Sequence, residues 1–238
     1  MNSAIKVDIL FLVEGAKKAD GLVVVIDVFR AFTLEAYLYD MGVVSIRAVE
    51  TVEEALELKR NMGNALLVGE RCGKKCKGFD YGNSPSAIKR ENVKGKVIIH
   101  TTSSGTKGLV SVSNADELLT GSLVNAKAIA DYILKKSPSK VSLVCMGNAA
   151  KLPAEEDILC AQYIKYLITG HDRQDFDRKI SELKYTAGKK FFDSQLQDIY
   201  PEQDYWMCTS CDLFPFVLCA KKEKVGLSIE RIWLKDAE

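Results

Sequence analysis

"GLVVVIDVFRA", residues 21–31, decides the fold. Leu22 to Ile26 are apolar without interruption, so no position is left for a solvent-facing side chain. A strand apolar on both faces belongs inside a sheet covered on both sides, the situation of a parallel sheet in an α/β protein. The run breaks at Asp27, and Arg30 follows three residues on, so the strand delivers a charged pair into a loop.

The same alternation continues outward. "FTLEAYLYDMG" (32–42) reads as a helix stopped at Gly42, and "VVSIRAVE" (43–50) as a strand. "TVEEALELKRNMG" (51–63) is a helix with Thr51 and Glu54 as a capping box and Gly63 as its stop. "NALLVGER" (64–71) is a short buried strand. "GKVIIHTTSSGTKGL" (95–109) runs strand, small polar loop, helix. Residues 115–136 hold a short strand and a long helix from about Asn125. "KVSLVCMGN" (140–148) is a strand and "EEDILCAQYIKYLIT" (155–169) a helix. The alternation predicts a three-layer α/β/α core over residues 1–170 with a mainly parallel or mixed sheet. A charged segment without strand signals, 171–205, reads as a helical excursion. Residues 206–238 then rejoin the core as two strands around a Lys-Glu-Lys turn, one domain overall.

Hydrophobic residues are 47% and charged ones 27% of the chain, an ordinary globular composition. A net charge of +1 gives no electrostatic reason to expect nucleic acid or an anionic membrane. Neither a signal-peptide core nor an 18-residue apolar span is present, so a cytoplasmic protein is expected. The seven cysteines then read mostly as free, partly buried thiols. Cys72–Cys76 and Cys208–Cys211 lie too far apart in sequence to resemble the common two-knuckle zinc site. A homo-oligomer is compatible with the chain.

Ligands of parallel α/β sheets bind beyond the carboxyl ends of strands. Four expected strand ends are polar: Asp27 to Arg30, Gly69-Glu70-Arg71, Thr101 to Lys107, and Gly147-Asn148 leading to Glu156-Asp157. Parallel strands would bring all four loops to one rim. Thr101, Thr102, Ser103, Ser104, Gly105, Thr106 and Lys107 suit either an anion or a plain helix cap. A P-loop spacing is absent. Asp27, Glu70, Asp80, Glu156 and Asp157 are hard oxygen ligands of the kind Mg²⁺ takes one or two at a time. The structural alternatives are an Asp27–Arg30 pair, and Glu156 and Asp157 as favourable charges at a helix start. Arg30, Arg71 and Lys107 offer positive charge to a dianion. His100 reads as a satisfied, partly buried imidazole and His171 as a surface residue. No GxSxG elbow is present, which favours metal-assisted chemistry over a serine nucleophile.

In order, "VVIDVFRAFT", "GERCGKKCKGFDYGNSP", "HTTSSGT" and "GNAAKLPAEEDILCA" resemble the 2-phosphosulfolactate phosphatase family of coenzyme M biosynthesis, over roughly residues 5–170. The block from Gly69 to Pro85 is the most specific, matching GER-G-x-x-x-x-GFD-x-x-NSP, with Cys72 and Cys76 at variable positions. The resemblance implies a three-layer fold and Mg²⁺-dependent hydrolysis of 2-phosphosulfolactate to 3-sulfolactate and phosphate. It implies catalytic roles for Asp27, Arg30, Glu70, Arg71 and Asp80, with Glu70 or Asp80 as general acid or base. Asn83, Ser84 and the Thr101–Lys107 loop would bind a small anionic phosphorylated substrate, and Asp27, Glu156 and Asp157 would hold the metal. The chain departs from the family pattern at Phe32, Ser104 and Lys107, where Thr, Asn and Arg are usual. The segment before Glu156 also lacks the usual Gly and aromatic. These changes keep two other readings open: a phosphatase for another small anionic phosphate monoester, and a non-catalytic anion-binding protein.

Overall fold

A computed structural model describes residues 5–170 and 175–234. His171 lies outside the described residues. The chain opens with strand β1 (Lys6–Phe11) and helix α1 (Leu12–Lys18), neither foreseen from the sequence. It continues through β2 (Asp20–Ile26), α2 (Ala31–Asp40), β3 (Ser45–Ala48) and α3 (Val52–Met62). Next come β4 (Ala65–Arg71), a two-residue β5 (Lys74–Lys75) and the single turn α4 (Arg90–Val93). Strand β6 (Val97–Thr101), α5 (Gly105–Ser111), β7 (Asn114–Gly121), α6 (Ala126–Lys136), β8 (Lys140–Cys145) and α7 (Glu155–Thr169) complete the core alternation. Short helices α8 (Phe176–Glu182) and α9 (Glu202–Thr209), with two 3₁₀ turns between them, precede the hairpin β9 (Phe216–Lys222) and β10 (Leu227–Trp233). Strand β7 is eight residues long, not the short strand expected, because pairing with β2 extends it back to Asn114. Thr51 and Glu54 form the expected capping box. Among the described residues no helix is long and apolar enough to cross a membrane.

The sheet order is β1-β8-β2-β7-β9-β10-β3-β6-β4-β5. Strands β1, β8, β2 and β7 form one parallel block, and β3, β6 and β4 another. The β9–β10 hairpin joins the blocks through antiparallel pairings. Three successive reversals make the second block run opposite to the first, so the simple parallel rim does not exist. The loops after strands of both blocks nonetheless meet. At the usual twist of roughly 20–25° per step, the five steps from β2 to β6 amount to about 100–125°, which allows it.

The apolar run of β2 feeds both faces: Val23 and Val25 join one core, Leu22, Val24 and Ile26 the other. Helix α2 lies within the first of these. It is buried from Ala31 to Ala36 and again at Leu38 and Tyr39, packed with side chains from both blocks. A helix apolar nearly all round belongs inside. Its N-terminus, beginning at Arg30, is therefore fixed where the two blocks' strand ends meet. The opposite face carries α6, α7 and the segment containing Phe176, Leu183, Phe191 and Tyr205.

Candidate active site

At that meeting point lies a cavity of about 260 Å³ lined by Asp27, Arg30, Glu70, Asn83, Ser103, Ser104, Glu156 and Asp157, among others. All eight were candidates from the sequence. The join between blocks is direct: Ala150 N–H, after β8, donates to Ser104 Oγ, after β6, at 2.9 Å. Gly105 lets them approach, because a Cβ there would come 2.9 Å from Ala31 Cβ and 3.0 Å from Asp27 Oδ2.

Asp27 closes the first turn of α2, its Oδ1 accepting Ala31 N–H at 3.2 Å. It does not pair with Arg30. Instead Arg30 donates to Asp204 Oδ2 at 2.6 Å, with both side chains buried. Burial pushes the Asp27 carboxyl up to about 7, with Glu70 and Glu156 adding to the effect against the Ala31 N–H. Asp157 ties two loops together, accepting Val28 N–H at 2.8 Å and Gly147 N–H at 2.7 Å. Burial still raises its proton affinity, reinforced by Glu156 and Asp27. Glu156 is raised chiefly by burial, partly countered by Lys190, and its Oε2 is buried without a hydrogen-bond partner.

Glu70 faces the cavity in a different condition. Its Oε1 accepts Ser103 N–H at 2.7 Å, while Oε2 accepts Gly73 N–H at 2.7 Å and the Ser103 hydroxyl at 3.3 Å. Both carboxylate oxygens are thus engaged by donors from the protein itself. Glu70 is thereby a clamp between two loops, which argues against the general acid–base role expected of it. Asp80 lies outside this cavity. It takes Lys59 Nζ at 2.7 Å and Leu67 N–H at 2.7 Å, fastening the loop to α3 and β4. That geometry commits the Asp80 carboxylate to contacts within the protein.

Arg71 also turns away from the cavity. It donates to the Glu70 and Glu50 carbonyls and to Thr101 Oγ1, at 2.7–2.9 Å. Thr101 donates to Glu50 O at 3.1 Å. Thr102 and Thr106 satisfy one another, each backbone N–H donating to the other's hydroxyl. Most donors of the supposed anion loop are thus spent within the protein, leaving Ser103 and Ser104 on the cavity wall. Ser84 is buried and donates to Asp204 Oδ1 at 2.9 Å. Lys107 is exposed and does not line the cavity.

The second wall was not legible in the sequence. Lys190 and Tyr200, from the segment between α8 and α9, line the cavity with Phe29. Lys190 Nζ lies 5.1 Å from the Tyr200 ring centroid and 5.5 Å from that of Phe191; the Arg30 guanidinium lies 4.9 Å from Tyr200. Such cation–π contacts hold a charge without consuming its hydrogen-bond donors. Gly73, at φ +79°, makes room for the Tyr200 hydroxyl, which any Cβ would strike. All seven cysteines are free; Cys72 is exposed at the cavity and five others are buried.

Fold and cavity together define a class: an α/β enzyme whose site sits where strand-end loops of two sheet blocks meet. The chain belongs to the 2-phosphosulpholactate phosphatase family, whose model matches residues 10–223. This is a family of phosphoric monoester hydrolases. A relative from Carboxydothermus hydrogenoformans is 47% identical over 164 residues, 68% of this chain and 67% of its own length. One from Caldicellulosiruptor saccharolyticus is 38% identical over 176 residues, 72% of each. One from Bacillus subtilis is 32% identical over 212 residues, 88% of this chain and 91% of its own. Each is named "Probable 2-phosphosulfolactate phosphatase".

Proposed function

We propose that this cavity hydrolyses 2-phosphosulfolactate to 3-sulfolactate and phosphate with the help of Mg²⁺. The supporting observation is a charge imbalance. Asp27, Glu156 and Asp157 crowd one wall with raised proton affinities, and Glu156 Oε2 is buried with no partner. Among the described residues no group of three or more His, Cys, Asp or Glu side chains is arranged as a metal cage. Mg²⁺ needs no such cage, since it commonly takes one or two carboxylates with water and substrate oxygens. Asp27 and Glu156, each with an oxygen free of the contacts described above, fit that donor set.

When bound there, the metal supplies positive charge to the phosphoryl oxygens and orients water. The protein's own contribution is positioning. Asp157 fixes the β2 and β8 loops so that Asp27 and Glu156 face the same space. Arg30, clamped by Asp204, and Lys190, backed by aromatic rings, face them with positive charge for the substrate's anionic groups. Phosphoryl transfer through a loose transition state asks mainly for such placement and charge and little for base assistance. That suits a site where Glu70 already accepts three hydrogen bonds and Asp80 lies outside the cavity.

Water adds to phosphorus and gives up a proton, the bond from phosphorus to the C2 oxygen breaks, and that oxygen takes up a proton in turn to leave as the sulfolactate hydroxyl. The decisive assay is phosphate release from 2-phosphosulfolactate with Mg²⁺ and with excess chelator, beside a panel of phosphorylated hydroxy acids. Metal-dependent turnover favouring the sulfonate is expected. Faster turnover of another ester would assign Ser104, on the cavity wall in place of the family's usual Asn, to a different substrate. Folded protein silent across the panel would replace catalysis with anion binding.

A further inference from the structure

Glu35 lies in the middle of α2 and is fully buried in a helix otherwise largely apolar. Fully buried carboxylates are rare unless paired. Its Oε1 stands 2.9 Å from Nδ1 of His100, itself fully buried on β6. Its Oε2 is without a hydrogen-bond partner. On the far side of the ring, His100 Nε2 stands 3.2 Å from Asn83 Oδ1, and Asn83 lines the cavity. Neither Glu35 nor His100 touches the cavity. The three side chains form a line from the core to the site.

The geometry sets the polarity of that line, because His100 Nε2 faces the oxygen of Asn83 and not its NH₂. An ionised carboxylate only accepts, so Nδ1 carries the hydrogen facing Glu35. A buried carboxylate needs a compensating positive charge, and the imidazole beside it supplies one when both ring nitrogens are protonated. Nε2 then donates to the Asn83 amide oxygen. The amide NH₂, on the opposite branch, is left for the cavity. A free asparagine amide turns either way, and with its oxygen outward it would repel an anion. We infer that Glu35 and His100 are positioning residues that lock the Asn83 amide with its NH₂ toward an anionic oxygen of the bound substrate. The inference rests on the phosphatase reading only for the identity of that anion.

The first test needs no substrate. The chain has two histidines, so ¹⁵N spectra of the imidazoles are assigned by comparison with His100→Gln. A hydrogen on His100 Nε2 in the folded wild-type chain near neutral pH is expected. An Nε2 without hydrogen overturns the inference, because it must then accept from the amide NH₂ and turn the oxygen to the cavity. The second test is a double-mutant cycle on 2-phosphosulfolactate turnover. Asn83→Ala removes a hydrogen bond to a charged group and should raise KM by about 10–100-fold with kcat little changed. Glu35→Gln should raise KM too, and the double variant should be no worse than Asn83→Ala alone. Additive losses would give Glu35 a merely structural role and overturn the inference. If wild type does not turn the ester over, the phosphatase reading fails, and the same cycle is run on calorimetric binding of inorganic phosphate. If Glu35→Gln does not fold, the wild-type spectrum alone decides.

Discussion

The two walls of the cavity hold charge by opposite means. The wall built from strand ends and the start of α7 crowds Asp27, Glu156 and Asp157 into a buried space, and each carboxyl holds its proton more tightly than usual. The wall that meets the segment between α8 and α9 balances its charges locally. Arg30 is matched by Asp204, and Lys190 rests among Phe29, Phe191 and Tyr200. The difference teaches where each wall is vulnerable. Breaking the buried Arg30–Asp204 pair of the balanced wall should damage the fold, whereas removing a charge from the crowded wall should damage activity while relaxing the fold.

The largest effect is expected at Asp204. Its carboxylate neutralises Arg30 and also accepts from Ser84 and from Ser86 N–H. Asp204→Ala leaves a buried guanidinium uncompensated, a change that costs about 3–5 kcal/mol. Urea titration measures it, and a loss below about 1 kcal/mol would show that this wall is not balanced by the pair. Asp27→Asn comes next and in the opposite sense. An amide oxygen still accepts from Ala31 N–H, so the turn survives, but the carboxylate is gone. Phosphate release should fall about 10²–10³-fold, as for other losses of transition-state charge stabilisation. Unchanged turnover and Mg²⁺ dependence would remove Asp27 from the chemistry.

The same residue gives a pH test. The Asp27 carboxyl sits at about 7 in the fold against an ordinary 3.8. Between those values the native state holds a proton that the unfolded chain has released, so this group's contribution to stability falls as pH rises through that window. Wild type in chelator should therefore lose stability relative to Asp27→Asn as pH rises from about 4 to 7. Mg²⁺ should shrink the difference. Wild type that holds or gains stability relative to Asp27→Asn over that range in chelator would contradict the crowding of that wall.

The two walls also differ in how far they could be foreseen. Asp27, Glu156 and Asp157 announce themselves because apolar strands and a helix start flank them, and local pattern is enough to place such ends. The segment 175–209 has no comparable signal: charge and aromatic content fix neither its path nor its partners. Lys190 meets the far side of the cavity through Phe29, a residue distant in sequence, and Arg30 finds Asp204 across 174 positions. Strand direction was hidden for a similar reason. The C-terminal hairpin sits between the two parallel blocks and reverses one relative to the other, and no residue within either block records that. Asp80 and Arg71 match the family pattern as well as Glu70 does, but their side chains are held by α3, β4 and the Glu50 carbonyl. A motif marks residues that belong together in space without saying which of them face the ligand.

Two lysines make the finest test of that distinction. Lys107 sits in the motif loop and Lys190 in the segment that sequence left unread. Lys107 is exposed and does not line the cavity, so Lys107→Ala should change KM by less than about twofold, as surface substitutions usually do. Lys190 lines the cavity, and its charge already lowers the proton affinity of Glu156. Lys190→Ala should raise KM about tenfold or more, the size of a lost hydrogen bond to a charged partner. Tyr200→Phe should do much less, since the ring face that supports the cation is retained. Steady-state kinetics on the three variants decides between the walls. A strong effect at Lys107 with a weak one at Lys190 would return anion recognition to the loop after β6 and leave the helical segment as packing.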